Sequence, residues 1–281
     1  MGEIFTTIIT QPITNLLVLI YQGLLALNIP SALGFAIILL TVAIRFVLFP
    51  LMAAQLKSAK KMQEVAPYLS DLKAKYKGDP KRIQAETMLL YKQYGINPAA
   101  GCLPVIVQLP VIWGLYSVLQ HAVQQTSLIE INKLVYTDSL KLKELWDTHF
   151  FGIPLGQNPS QLLGSLGVAI LLIPLLTGAS QFIQSKMMIP PVAPGTPTKK
   201  DKGSDFATAF QKQSLYIFPL MIGFFSYQFP VGLSLYWITF TVFGIIQQYL
   251  MDRKKKSLVS LSKTLPALVR SKPNKAKKKR K

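Results

Sequence analysis

Acidic residues, cysteine and histidine are scarce in this sequence. Its 281 residues include 12 Asp and Glu, one cysteine and two histidines, against 31 Lys and Arg. Because Cys102 is the single cysteine, an internal disulfide and a thiolate metal cluster are excluded. The sequence also lacks a G-x-x-x-x-G-K-[ST] phosphate loop and a G-x-S-x-G motif. We therefore expect no enzyme, no metal site and no cofactor.

Hydrophobic residues make up 50% of the chain and are concentrated in runs. A membrane-spanning helix needs about 20 mostly apolar residues, and five stretches meet this condition. The sequence thus predicts an all-α integral membrane protein with a five-helix core at residues 31–250. The predicted spans are residues 31–56, 99–123, 161–188, 212–229 and 231–250.

The first 30 residues are apolar but are interrupted by Pro12. Gln11, Asn15 and Gln22 fall on one helical face together with Val18,. This pattern favours an extracytoplasmic helix that lies in the membrane interface. A sixth span is the alternative.

Basic residues indicate which loops lie in the cytoplasm. There are nine between residues 57 and 92, five between 186 and 212, and thirteen between 253 and 281. The loop at residues 124–160 has three, against four acidic residues. We expect the N-terminus and this loop outside, and the 57–97 hairpin, the 189–211 loop and the 251–281 tail in the cytoplasm.

The first cytoplasmic loop has helical periodicity. Apolar residues recur there at spacings of three and four, and Pro67 is expected to kink the first helix near its start. A second helix is predicted with Asp79 as N-cap, Pro80 at its first position and Gly95 at its end. These signals predict a helical hairpin, with a solvated basic loop as the alternative. The apolar positions of the first helix are Met62, Val65, Leu69, Leu72 and Tyr76.

Arg45 lies in the inner half of the first predicted span, where a charged group is costly. All twelve acidic residues lie outside the five spans, so none can pair with it within the membrane. Water, backbone carbonyls, uncharged side chains or a lipid phosphate are left as partners. We favour a hydrated cavity open to the cytoplasm. Candidate lining residues, each also able to form an ordinary interhelical hydrogen bond, are Gln108, Gln181, Gln184, Trp237 and Thr239.

The C-terminal tail has the charge expected for binding a phosphate polyanion. Ribosomal RNA and anionic lipid headgroups fit this charge equally well. The residues that we expect to make this contact are Arg253, Lys254, Lys255, Lys256, Lys277, Lys278, Lys279 and Arg280.

Four segments together resemble the YidC/Oxa/Albino family of membrane protein insertases, in a short bacterial form. They are GFAIILLTVAIRFVLFP (34–50), NPAAGCLPVIVQLP (97–110), FIQSKM (182–187) and FPVGLSLYW (229–237), the last followed by IIQQ (245–248). The resemblance covers about residues 11–250. It implies a bacterial plasma (inner) membrane protein whose hydrophilic groove is open to the cytoplasm.

In this family a groove arginine, here Arg45, receives hydrophilic or acidic parts of the incoming chain, and Gln184 and Trp237 resemble its neighbours. The hairpin resembles one that recruits substrate, through basic residues that would here be Lys57, Lys60, Lys61, Lys73, Lys81 and Arg82. The function predicted is a membrane protein insertase and chaperone; the alternative is a small anion or solute transporter. Expected partners are nascent membrane proteins, the lipid bilayer, the ribosome through its RNA, and a Sec-type translocon.

Overall fold

The computed structural model describes residues 3–76, 78–97, 103–123, 127–188 and 205–264, and the described chain is mostly helical. The chain divides into two units between Ile245 and Ile246. The α-helices are α1 (Glu3–Phe5), α2 (Gln11–Ala26), α3 (Ala32–Val47), α4 (Phe49–Lys75), α5 (Pro80–Gln93), α6 (Leu103–Val123), α7 (Ser127–Leu134), α8 (Pro159–Leu166), α9 (Leu172–Met188), α10 (Asp205–Gln228) and α11 (Val231–Thr264).

Several helical segments have the length and apolar composition of membrane spans, as expected for an all-α membrane protein. Within the described residues these are Glu3–Ala26, Pro159–Met188 and Val231–Met251, and the bent pair formed by α3 and α4 would make a fourth. The apolar part of α10, Leu215–Gln228, is shorter. The five spans expected from the sequence remain a prediction.

The first predicted span, residues 31–56, is not one straight helix. Helix α3 ends at Val47, α4 begins at Phe49, and the two axes differ by 62°. Pro50 explains the break: inside a continuous helix it would donate no hydrogen bond, and its ring would meet the carbonyl of the preceding turn. In the first turn of α4 its missing N–H costs nothing. Pro67 lies well inside α4, so the expectation that it lies near the start of a helix was wrong.

The third predicted span, residues 161–188, is interrupted as well. Helix α8 begins at Pro159, where the Asn158 and Gln161 side chains form a capping box,. A 3-10 segment, Gly167–Leu171, separates α8 from α9. Gly167 has a φ of +67°, which glycine adopts without strain,.

The predicted hairpin at residues 57–97 contains α4 and α5. Asp79 is the N-cap of α5 and accepts a hydrogen bond of 3.0 Å from the Arg82 amide, which confirms the predicted cap. The chain leaves the helix at Tyr94 and Gly95, where the φ of Gly95 is +59°. The rings of Tyr68 and Tyr94, 5.9 Å apart, join the two helices.

Residues 127–158, called the outer segment because the sequence predicts that this loop lies outside, fold against the helices. Phe150 of its short antiparallel hairpin packs on Gly34, where any Cβ would overlap the Phe150 ring. Its backbone carbonyls also accept hydrogen bonds from the first N–H groups of α11. The Gln157 carbonyl accepts from Val231 N at 2.9 Å, and the Leu155 carbonyl accepts from Gly232 N at 2.7 Å. The segment consists of α7, a 3-10 turn at Asp138–Leu140, and strands β1 (His149–Phe150) and β2 (Ile153–Pro154).

The polar face of α2 makes hydrogen bonds that the sequence did not predict. Asn15 donates to the Leu134 carbonyl at 2.9 Å and accepts from Tyr136 N at 2.8 Å. Gln22 donates to the Leu140 carbonyl at 3.0 Å. Asn15 and Gln22 therefore connect α2 to the outer segment. The placement of residues 1–30 in the membrane interface remains a prediction.

Candidate functional site

Arg45, in the last turn of α3, is almost fully buried, with 2% of its surface exposed. Its guanidinium carbon lies 3.3 Å from the centre of the Phe240 ring and 5.9 Å from that of Phe243. One guanidinium nitrogen, Nη2, donates a hydrogen bond to the backbone carbonyl of Phe240. The buried Nε has no acceptor among the described residues. Aromatic and carbonyl contacts therefore stabilise this cation in place of a carboxylate.

Gly244 makes room for Arg45 and Gln184 to approach each other. A Cβ atom at position 244 would clash with the Gln184 side-chain amide nitrogen and with Arg45 Nη2, the latter at 2.8 Å. The side chains of α3 and α9 thus meet at the glycine of α11. The structure brings these two predicted site residues together.

Among the described residues, Gln108 is linked to Arg45 through α11. Its amide nitrogen donates to the hydroxyl of Tyr236, a buried residue whose ring stacks on Phe240 at 5.8 Å. The Oε1 atom of Gln108 is buried and has no donor among the described residues. Arg45, Phe240, Tyr236 and Gln108 form a column of contacts across α3, α11 and α6.

Gln181 and Trp237 form a second pair, in which the indole Nε1 donates to Gln181 Oε1 at 3.3 Å. Trp237 also lines a small cleft. The polar lining of this cleft is a hydroxyl chain: Ser226 donates to Thr177 at 3.1 Å and lies 2.8 Å from Ser234. All three hydroxyls are buried. They add a polar path between α9, α10 and α11.

Sequence reasoning missed Tyr236, Phe240 and Gly244, although each touches a predicted site residue. These three positions are four residues apart and so lie on one face of α11. That spacing was a usable signal, but an aromatic and glycine face is more often plain helix packing. Thr177, Ser226 and Ser234 were missed because single hydroxyl residues in apolar helices are common. Thr239, named from the sequence, donates to the Leu235 carbonyl in its own helix.

The basic residues predicted for recruitment lie on the hairpin. Lys61 donates to the carbonyls of Tyr94 and Gly95, both at 3.4 Å, and Arg82 lies over the Tyr76 ring at 4.8 Å. The side chain of Lys73 lies outside the described part of the chain. The side chains of Lys57, Lys81 and Arg82 are exposed, and that of Lys60 is half-buried.

The tail residues predicted to bind ribosomal RNA or lipid fall largely outside the described structure. Arg253, Lys254, Lys255 and Lys256 lie within α11, but their side chains are not described. Residues 277–280 lie outside the described residues altogether. Their role remains a prediction.

Comparison with known proteins gives consistent matches. The family described as 60Kd inner membrane protein matches residues 25–258. The chain is 35% identical over 247 residues to the inner membrane protein ALBINO3 of Arabidopsis thaliana chloroplasts, an alignment that covers 85% of this chain and 51% of that protein. It is 32% identical over 250 residues to the membrane protein insertase YidC of Janthinobacterium sp. (strain Marseille), covering 88% and 38%.

A third relative is matched over more of its length. The YidC insertase of Oceanobacillus iheyensis is 33% identical over 224 residues, which are 78% of this chain and 74% of that protein. By contrast, the chain spans about half of the chloroplast protein and less than two fifths of the Janthinobacterium protein.

Proposed function

We propose that this chain, which belongs to the 60Kd inner membrane protein family together with the YidC and ALBINO3 proteins, is a membrane protein insertase. In this proposal it inserts newly made membrane proteins into the bacterial plasma membrane and helps them to fold. The observation that carries the proposal is Arg45, a buried cation held between α3, α9 and α11 without a carboxylate partner among the described residues.

The physical obstacle to insertion is the passage of a polar segment across about 30 Å of hydrocarbon. A polar site inside the protein shortens the apolar distance that this segment crosses. Gln184 lies beside Arg45, while Gln181 and Trp237 continue the polar lining toward the Ser226 hydroxyl. These residues would form the hydrophilic groove, which we place on the cytoplasmic side.

Arg45 would favour acidic segments of the incoming chain. A carboxylate offers a guanidinium two parallel, charge-assisted hydrogen bonds, which backbone and ring contacts cannot replace. The apolar part of the substrate would move into lipid, and its burial would supply the free energy. The membrane potential would add to this for acidic segments moving outward.

The orientation that we propose places the N-terminus and the outer segment outside and the C-terminus in the cytoplasm. The support is the distribution of basic residues, thirteen of which lie between residues 253 and 281,. In this arrangement the α4 and α5 hairpin meets substrates as they leave the ribosome. The basic tail would bind ribosomal RNA or lipid headgroups, and a Sec-type translocon is a further proposed partner.

The relatives reported above give no support to a small anion or solute transporter. Their names describe insertases and inner membrane proteins. We therefore propose the insertase function alone.

Reconstitution into lipid vesicles tests the proposal. Two substrates that differ only in Asp or Asn at the translocated positions are presented to the wild type and to Arg45→Ala, Arg45→Lys and Lys133→Ala. We expect Arg45→Ala to reduce insertion of the acidic substrate about tenfold, a loss of about 1.4 kcal/mol, and Arg45→Lys to restore much of it. Lys133→Ala, a change on the outer surface, is the control. Equal insertion of both substrates by all four proteins would refute the role of Arg45.

A further inference from the structure

Phe240 covers the charged group of Arg45 in two ways. Its ring lies 3.3 Å from the guanidinium carbon, and its own carbonyl accepts a hydrogen bond from Nη2. The next aromatic side chain, Phe243, is 5.9 Å away and packs edge-on against Phe46. Phe240 is therefore the principal aromatic contact of this cation among the described residues.

The covered arginine still has unused hydrogen-bonding capacity. Its Nε is buried and lacks an acceptor among the described residues, although all five guanidinium N–H groups are donors,. A buried donor without an acceptor is unfavourable. An incoming acceptor that reached Nε would relieve this cost, so the arrangement favours a ligand.

A second aromatic residue holds the Phe240 ring in place. Tyr236, which is buried, stacks on it with 30° between the ring planes and is itself bonded to Gln108. The cover is thus built into the packing of α11 and α6. A ligand that displaces the Phe240 ring must therefore offset the free energy of these contacts.

We propose that Phe240 is a selectivity-determining positioning residue, an aromatic cover that an incoming group must displace to reach Arg45. This inference rests on the proposed insertase function. The charge-assisted bonds of a carboxylate to the guanidinium are strong enough to offset the cost of displacing the ring, whereas the weaker bonds of an amide or hydroxyl are not. The cover therefore reserves Arg45 for acidic segments, and neutral segments are inserted without contacting it.

The first test measures access to Arg45 without any substrate. The purified protein in lipid vesicles is treated with phenylglyoxal, which modifies arginine, and mass spectrometry follows the peptides that contain Arg45 and Arg82. Phe240→Leu should raise the rate at Arg45 about fivefold, the factor expected for losing one cation–π contact. Phe240→Tyr, which keeps the ring, should leave it near the wild-type rate.

Two comparisons make this result specific. Phe243→Leu removes the more distant ring and should change the Arg45 rate less than Phe240→Leu does, while Arg82 should react equally in every variant. An unchanged Arg45 rate in Phe240→Leu would overturn the proposal. So would equal increases in Phe240→Tyr and Phe243→Leu, because they would indicate general loosening of the helices.

The second test uses the Asp and Asn substrate pair described above. With Phe240 present, Arg45→Ala should lower insertion of the acidic substrate and leave that of the neutral one unchanged. In the Phe240→Leu background, Arg45→Ala should also lower insertion of the neutral substrate, whereas in the Phe240→Tyr background it should not. Neutral insertion that stays independent of Arg45 in Phe240→Leu, together with faster labelling, would show a cover that has no effect on selectivity, which contradicts the proposal. If the wild type itself inserts neither substrate, the proposed function fails, and the labelling test still decides whether the cover exists.

Discussion

Gly178 of α9 and Gly223 of α10 lie in direct backbone contact, each without a side chain to separate the two helices. A Cβ at Gly178 would lie 3.2 Å from the Pro219 carbonyl oxygen and 3.7 Å from the Gly223 Cα. A Cβ at Gly223 would lie 3.3 Å from the Pro174 carbonyl oxygen. Small residues allow this approach between apolar helices, for which dispersion contacts are a main source of attraction in lipid.

Gly178→Leu should separate α9 from α10 and destabilise the protein by about 1–3 kcal/mol, since backbone atoms on the facing helix cannot make room for the new side chain. Thermal unfolding in detergent would measure this as a lower Tm. Gly164→Ala is the control, because a Cβ there meets nothing within 4 Å. A Tm unchanged by the leucine would show that the two glycines are not tightly packed.

Gly244→Ala should impair function more than stability. The atoms that a new Cβ would meet are the ends of two flexible side chains, Gln184 and Arg45, which can move aside. We expect insertion of the acidic substrate to fall about as far as in Arg45→Ala, with little change in Tm. Gly23→Ala, where a Cβ also meets nothing within 4 Å, serves as control. Full activity in Gly244→Ala would argue against the need for Arg45 and Gln184 to meet.

Tyr236→Phe should cost about 1–3 kcal/mol of stability, because it leaves the Gln108 amide without its acceptor,. Adding Gln108→Leu should recover part of that loss by removing the remaining polar group. The four proteins of this double-mutant cycle can be compared by thermal or denaturant unfolding. Additive losses in the double variant would mean that the two side chains do not interact.

Asn15→Ala should loosen the outer segment from α2. It removes the bonds to the Leu134 carbonyl and the Tyr136 amide and leaves both backbone groups unpaired, at about 1–3 kcal/mol,. Trypsin cleavage after Lys133 and Lys141 should become about tenfold faster. Ser139→Ala, an exposed change in the same segment, should leave the cleavage rate unaltered.

Asp79→Ala should fray the start of α5. The carboxylate accepts from the Arg82 amide, and loss of such a cap costs about 0.5–2 kcal/mol,. Amide hydrogen exchange over residues 80–84 would become faster while exchange in α6 stays the same. Asp71→Ala is the control, because it removes one carboxylate from an exposed position in α4. Equal exchange in both variants would contradict the capping role.

The sequence was most informative where structure depends on neighbouring residues. The cap and end of α5 were predicted because Asp79, Pro80 and Gly95 act on the adjacent backbone. The break between α3 and α4 was not predicted, although Pro50 lies next to it, because the span was identified from one continuous apolar stretch at residues 31–56. Hydropathy sums the transfer preferences of side chains and contains no information about backbone hydrogen bonds.

The candidate site could be predicted only in part. The absence of an acidic partner for Arg45 was readable from the sequence, but its actual contacts come from Phe240, 195 residues away. The partners of the polar face of α2 could not be predicted, because nothing local tells a solvated asparagine from one that is hydrogen-bonded to a distant loop. Asn15 bonds to Leu134, 119 residues further along. Such pairings are decided by tertiary packing.

The break at Leu48 has a mechanical consequence. Helix α4 has 27 residues and is therefore about 40 Å long,. If the angle between α3 and α4 changed by about 10°, the far end of α4 would move by roughly 7 Å. Arg45 precedes the break and is held by its contacts with Phe240, so it would keep its position. A small change of angle at Leu48 would therefore reposition the hairpin and leave the buried charge in place.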